Sequence, residues 1–233
     1  MKKILLVSIC FLLLFTGVVY ANDINKITLN GKPMNFSTDP IIENGTTLVP
    51  MRTIFEALGA TVEWKSEDKS VYAVKDDINV WLQQDNPIAK INDQEFTLAV
   101  APKVVNGTTL VPIRFITETF GGKVYWNGDS KKIIIITITT PEMVALEEIL
   151  EDMEEDLKLA EECYNKASEF EKTYERVKKL HEAGAVSSEQ MEEVEQMILD
   201  IRKGKEHIEL LRKQYYNHLE YIEITAAQMD LMN

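Results

Sequence analysis

Between residues 22 and 162 the chain has no histidine and no cysteine, so that stretch lacks the imidazole and thiolate donors a copper or zinc site prefers. The two cysteines are Cys10 and Cys163. Cys10 lies in the apolar run that opens the chain, and a single remaining thiol forms no intramolecular disulfide, so packing must hold the fold together. After Pro141 there is no further proline and there are only two glycines, Gly184 and Gly204, a scarcity that excludes a loop-rich or turn-rich C-terminal part. Excess positive charge is missing too. Residues 1–140 hold 14 basic and 14 acidic side chains, whereas residues 141–233 hold 11 and 24, so the whole formal charge of -13 belongs to the C-terminal part. Such a segment repels nucleic acid and anionic lipid, and nucleic acid is excluded as the main partner.

The opening "MKKILLVSICFLLLFTGVVYA" combines two lysines, an apolar run from Ile4 to Val19 and small-residue spacing at Val19–Ala21. It reads as a signal peptide over residues 1–21, with the mature chain starting at Asn22. The run is shorter than the ~20 apolar residues of a spanning helix, so no membrane insertion is expected after cleavage. The expected location is extracytoplasmic, secreted or associated with the cell envelope.

What is present is a sentence written twice. "NGTTLVPMRTIFEALGATVEW" starts at Asn44, and "NGTTLVPIRFITETFGGKVYW" starts at Asn106, an ungapped offset of 62. The copies share Asn44/Asn106 through Pro50/Pro112, then Arg52/Arg114, Glu56/Glu118, Gly59/Gly121, Trp64/Trp126 and Lys69/Lys131, with Asn30/Asn92 and Pro40/Pro102 upstream. Two units of about sixty residues result, with repeats near 27–76 and 89–138 in a domain over 22–139.

Local chemistry accounts for the shared residues. Asn44-Gly45 and Asn106-Gly107 are preferred two-residue hairpin turns, since both central positions need positive φ. Proline is expected at the first helical position. Ile54, Phe55 and Leu58, or Ile116 and Phe120, form the apolar stripe of a short helix that Gly59 or Gly121 ends. Alternation on either side of a polar turn makes "TVEWKSEDKSVYAV" and "KVYWNGDSKKIIII" hairpins, and "KITLNGKPMNF" and "AKINDQEFTL" two more. Each unit reads as three strands, a short helix and two strands, which is an antiparallel α+β class.

Arg52 and Arg114 recur at the helix starts, each one turn before a glutamate. A local ion pair that orients the helix is one reading, and recognition of an anionic cell-wall group is the other. Trp64 and Trp126 likewise either pack in strands or bind glycans. The pattern NGTTLVPxR, short helix, glycine and Val-x-Trp, in both copies across roughly residues 24–138, resembles the copper amine oxidase N-terminal (stalk) domain of secreted and surface proteins of Gram-positive bacteria. The resemblance implies a stalk lying apart from copper and quinone. The Asn-Tyr-Asp/Glu signature that forms topaquinone is absent, and "YYNHLEY" does not match it.

From residue 140 onward two seams of apolar residues at three- and four-residue steps predict a long antiparallel coiled-coil hairpin. The first runs from Met143 through Leu150, Leu157, Phe170 and Tyr174 to Val177, and the second from Met191 through Ile201, Lys205, Ile208 and Tyr215 to Met229. Gly184 closes the first arm and Ser187 caps the second with Gln190 three residues on. Each arm of roughly forty residues extends about 60 Å. A turn near residue 185 sets Lys172, Arg176, Lys178 and Lys179 opposite Glu189, Glu192, Glu193 and Glu195. Tyr215, Tyr216, Tyr221 and Ile224 broaden the second seam, which leads us to expect docking on the N-terminal domain or on a second copy. The hairpin with its "GAVS" turn also resembles those of bacterial efflux adaptors and outer-membrane channel proteins, which implies an assembly role and homo-oligomerisation through the hairpin.

The acidic run Glu147, Glu148, Glu151, Asp152, Glu154, Glu155 and Asp156 reads as a solvated helix face near the macrodipole's positive end, with calcium as the alternative. The sequence offers no nucleophile–base pair, ligand cluster or cofactor motif, so no catalytic residue, metal ligand or cofactor is expected. The expected function is a non-catalytic secreted or surface module, a stalk-like domain plus acidic spacer, with an unknown protein or cell-wall partner. The alternatives are a glycan-binding or envelope-associated accessory of an enzyme or transport complex and, because glycosidase carboxylates keep no fixed sequence spacing, a hydrolase.

Overall fold

A computed structural model describes residues 26–232. The leader over residues 1–21 and Cys10 lie outside the described residues. The first repeat supplies β1 (Lys26–Leu29), β2 (Lys32–Pro33), β3 (Ile41–Glu43), β4 (Thr46–Pro50), α1 (Met51–Ala57), β5 (Thr61–Lys65) and β6 (Ser70–Lys75). After β7 (Ile78–Gln83), the second supplies β8 (Ile88–Ile91), β9 (Gln94–Thr97), β10 (Lys103–Val105), β11 (Thr108–Pro112), α2 (Ile113–Thr119), β12 (Lys123–Asn127) and β13 (Lys132–Ile136). Two long helices follow, α3 (Pro141–Glu182) and α4 (Ser188–Asp230). The class is α+β with a helical hairpin. Four strands precede each short helix where three were expected, because both early hairpins form separately in each unit.

The repeats interlock. The Asn-Gly hairpins meet in one sheet ordered β10-β11-β4-β3, with the equivalent residues Val49 and Val111 directly opposite each other, which places an approximate twofold axis through that pair. Around it, each repeat's last hairpin is completed by the other repeat's first one. β12 and β13 join β1 and β2 in a four-stranded sheet, and β5 and β6 join β8 and β9 through β7 in a five-stranded one. Every pairing is antiparallel except β1 with β13, which run parallel. The main core fills the space between sheets and short helices, with Val49, Ile54, Phe55, Val111, Ile116 and Ile135 fully buried. Phe55 and Phe120 meet edge to face there, with ring centroids 5.9 Å apart.

Local turn chemistry acts as expected. Asn44 and Gly45 sit at φ 49° and 75°, Asn106 and Gly107 at 49° and 76°, and Gly59 and Gly121 stop the short helices at 80° and 81°. One correction concerns the prolines. Pro50 and Pro112 end β4 and β11 and stand at the N-cap with extended ψ of 118° and 116°, one residue ahead of the first helical position. Proline's fixed φ suits this site equally, and ending a strand needs no donor from it.

The five-residue strand KIIII shows why the sheet takes helices on its back. Ile133 and Ile135 point into the main core, while Ile134 and Ile136 point the other way into a second core with Met143, Leu150, Tyr215, Leu219, Ile222 and Ala226. A strand buried on both faces reads as a continuous apolar run. Residues at the base of both long helices are thus part of the domain's own packing.

The hairpin turns at Gly184 (φ 74°) and restarts at a capping box. There the Gln190 N–H donates to Ser187 Oγ at 3.2 Å and the Ser187 N–H donates to Gln190 Oε1 at 3.0 Å. The seams differ from expectation at two places. Phe170 is 58% exposed, and Glu171 turns inward to meet Arg202 at 3.4 Å. Lys205 is exposed as well, and between the buried Ile201 and Ile208 the half-buried position is Gly204. Cross-arm pairing runs through Glu171–Arg202 and Glu161–Arg212, while Lys172 pairs with Glu169 on its own helix.

Candidate functional site

Three lysines of the domain fix the hairpin's base through four ion pairs. Lys132 of β13 bonds Glu223 of α4, whose other carboxylate oxygen accepts from the Thr28 hydroxyl at 2.7 Å. Lys123 of β12 reaches Glu147 and Glu151 of α3 at 3.2 and 2.9 Å, and Lys32 reaches Asp230 at 2.5 Å. Glu147 and Glu223 are both buried, and each is paired with a lysine. Part of the acidic run therefore serves docking. Among the described residues no group of three or more His, Cys, Asp or Glu gathers as a metal-ligand set.

Two glycines that occur in one repeat alone, Gly31 and Gly128, mark where α4 lands. A Cβ on Gly31 would stand 2.5 Å from Ala227 Cβ, and one on Gly128 would stand 2.4 Å from the Tyr216 hydroxyl. The equivalent positions in the other copies are Asp93 and Ser66. This asymmetry is a sequence signal for the docking surface; Lys123, Lys132 and Glu223 are the residues that sequence reasoning missed, and Glu147, expected on a solvated helix face, is instead buried against Lys123.

Docking also separates the two tryptophans and the two arginines. Arg52 and Arg114 are exposed, and each faces the glutamate one turn on, Glu56 at 3.7 Å and Glu118 at 3.2 Å. Trp64 packs against the main core, whereas Trp126 is 40% exposed. Around Trp126 two cavities open. One of about 480 Å³ is lined by Ile42, Leu98, Ala99, Phe115 and Ile133 among others, and one of about 720 Å³ by residues of α3 and α4 including Glu154, Lys158 and Arg212. Both include Arg114, Glu118, Val124, Tyr125 and Trp126, so Arg114 and Trp126 share a site in the second repeat. Arg52 and Trp64 line neither of these cavities.

Two tyrosines in this cleft are held neutral. Burial, then the Glu147 carboxylate, pushes the Tyr125 hydroxyl far above its ordinary value, and burial, then Glu154, pushes Tyr215 up to about 12. A neutral phenol can donate a hydrogen bond, so the cleft offers phenolic donors beside charged side chains of both signs. Two of the three histidines are engaged elsewhere. His181 Nδ1 lies 2.8 Å from the Val186 carbonyl at the hairpin turn, and His218 Nε2 lies 3.1 Å from the Leu146 carbonyl.

Comparison with known proteins agrees with the sequence resemblance. Residues 28–135 match the family described as "Copper amine oxidase N-terminal domain". The chain is also 30% identical over 126 residues to a protein of Brevibacillus choshinensis named "Protease inhibitor", a match covering 51% of this chain and 38% of that protein. The chain thus spans well under half of that relative's length. The match of residues 28–135, which takes in both short helices, all of β12 and the interlocked sheets, identifies this region as a copper amine oxidase N-terminal domain, continued by two long helices packed as a hairpin.

Proposed function

We propose that the chain is a non-catalytic, extracytoplasmic scaffold in which the stalk-like domain carries the acidic hairpin as a stiff arm of about 60 Å. The single observation behind this reading is the second core. Ile134 and Ile136 of the sheet are packed with Met143, Leu150, Leu219 and Ile222 of both helices, so the arm leaves the domain through packed apolar contacts reinforced by buried ion pairs. The leader-like first residues support export, and the absence of any apolar helix long enough to span a bilayer among the described residues is compatible with it. The relative's name denotes a protein that acts by binding another, which supports interaction over turnover.

Rigidity is testable with the exposed Cys163 on α3. A spin label there and a second at Thr97→Cys should give one narrow distance distribution, and a broad one would overturn the stiff-arm reading. Fusing the first 25 residues to alkaline phosphatase tests export, with periplasmic or extracellular activity expected. A second reading, binding of cell-wall glycan, is favoured by the partly exposed Trp126 beside Arg114. Retention on purified peptidoglycan at moderate salt would support it, and loss on Trp126→Ala would place it.

A further inference from the structure

α3 carries a second apolar stripe that the hairpin itself does not use. Ala160, Tyr164, Ala167, Glu171 and Tyr174 are the half-buried positions on the side of α4. One position before each stand Leu159, Cys163, Lys166, Phe170 and Thr173, about 100° around the helix, and the same three- and four-residue steps continue to Val177 and Leu180. Leu159, Phe170 and Leu180 are 60%, 58% and 44% exposed, and Cys163 is exposed too. One position after the inner seam come Glu161, Asn165, Ser168, Lys172 and Glu175, all polar. A solvated arm needs polar residues on both flanks, so the apolar flank calls for a partner.

The stripe is complementary to itself. Phe170 lies eleven residues after Leu159 and ten before Leu180. A twofold axis at Phe170, perpendicular to the helix, stacks Phe170 on its own copy, Leu159 on Leu180 and Cys163 on Val177, with each unlike contact made twice. The same axis sets Glu162 opposite Arg176 of the second copy. Charge fixes the direction. In a parallel pair the seven carboxylates between Glu147 and Asp156 would stand beside their own copies, at a helix-packing distance of about 10 Å. In the antiparallel pair the two acidic runs lie about 50 Å apart, several times the Debye length of about 8 Å.

We infer that two copies of this chain associate through α3, antiparallel, about a twofold axis at Phe170. The overlap from Leu159 to Leu180 spans about 33 Å on one helix face, a contact at the small end of specific interfaces, so the dimer is reversible with a Kd on the order of 1–100 μM. The two stalk-like domains then stand at opposite ends. The proposal goes beyond the scaffold reading and is separable from it, because the arm's stiffness can be measured in the monomeric Phe170→Glu chain.

Sedimentation equilibrium of the purified chain at about 100 μM should show dimer. Phe170→Glu should weaken it about tenfold or more while circular dichroism and thermal melting stay unchanged. Leu199→Glu, which alters another exposed apolar residue on α4, should leave the dimer intact. For direction, Cys163→Ser chains carrying Phe170→Cys should form a disulfide-linked dimer under mild oxidation. In the same background Leu159→Cys should link to Leu180→Cys in a mixture and not to itself. Monomer alone at that concentration, a dimer indifferent to Phe170→Glu, no linkage through Phe170→Cys, or self-linkage of Leu159→Cys would overturn the proposal.

Discussion

The Thr28 hydroxyl of the first described strand donates to the Glu223 carboxylate of the last helix at 2.7 Å, joining residues 195 positions apart in a buried site. Lys132 bonds the other carboxylate oxygen. Removing one partner of a buried pair leaves the other charged and unsatisfied, so Glu223→Ala should destabilise the chain by about 3–5 kcal/mol. Urea denaturation checks this, and the double variant Glu223→Leu with Lys132→Met should recover most of the loss.

Gly31 should tolerate no side chain. Its φ of +73° is in the left-handed region and Ala227 Cβ occupies the place a methyl would take, so Gly31→Ala should cost about 3 kcal/mol or more. Gly45 has nothing within 4 Å of the same added atom, and Gly45→Ala should cost only the backbone strain, about 1–2 kcal/mol. Thermal melting of both variants gives the comparison. Equal losses would contradict the docking of α4 on the β1–β2 turn.

A single repeat should not fold. Residues 22–85 lack β13 for β1 and β11 for β4, so circular dichroism and amide exchange should show an unfolded chain. Cooperative melting of that fragment would contradict the interlocked topology.

Truncation after residue 139 should leave a sheet with Ile134 and Ile136 uncovered. Exposed contiguous apolar surface promotes association, so sedimentation should show oligomers or aggregates where the full chain gives a defined species.

Alkaline pH should unfold the protein through its tyrosines. Tyr215 is pushed up to about 12 and Tyr125 further, so between pH 10 and 12 the unfolded chain has lost phenolic protons that the folded chain retains. The neutral phenols' contribution is thus fully present below about pH 10 and is lost as pH rises toward 12. Absorbance at 295 nm should show delayed tyrosine ionisation that appears together with loss of ellipticity.

The sequence made local features legible and non-local ones illegible. Asn44-Gly45, Gly121 and the Ser187–Gln190 box act within four residues, and each forms as its chemistry dictates. The exchange of hairpins between repeats involves partners about a hundred residues apart, as with Lys26 and Lys132, and nothing in periodicity reports it. β7 has no counterpart in the other copy, since the position 62 residues after Ile78 is Thr140, where α3 is about to begin, so comparing the copies does not reveal it. Phe170 fitted a seam by hydropathy, yet the adjacent step places Glu171 inward, where Arg202 meets it. Of the candidate site, Arg114 and Trp126 were visible as repeated residues, but their divergence from Arg52 and Trp64 arises only from where the helices sit.

The parallel seating of β1 beside β13 sets a timetable for assembly. A ribosome delivers Lys26 more than a hundred residues before Ile136, so β1, paired locally with β2 on one side, must wait with its other edge open until nearly the whole domain has emerged. Contacts this distant in the chain slow the search for the native state. During that interval the edge of KITL that the final isoleucines will cover stands open to wrong partners.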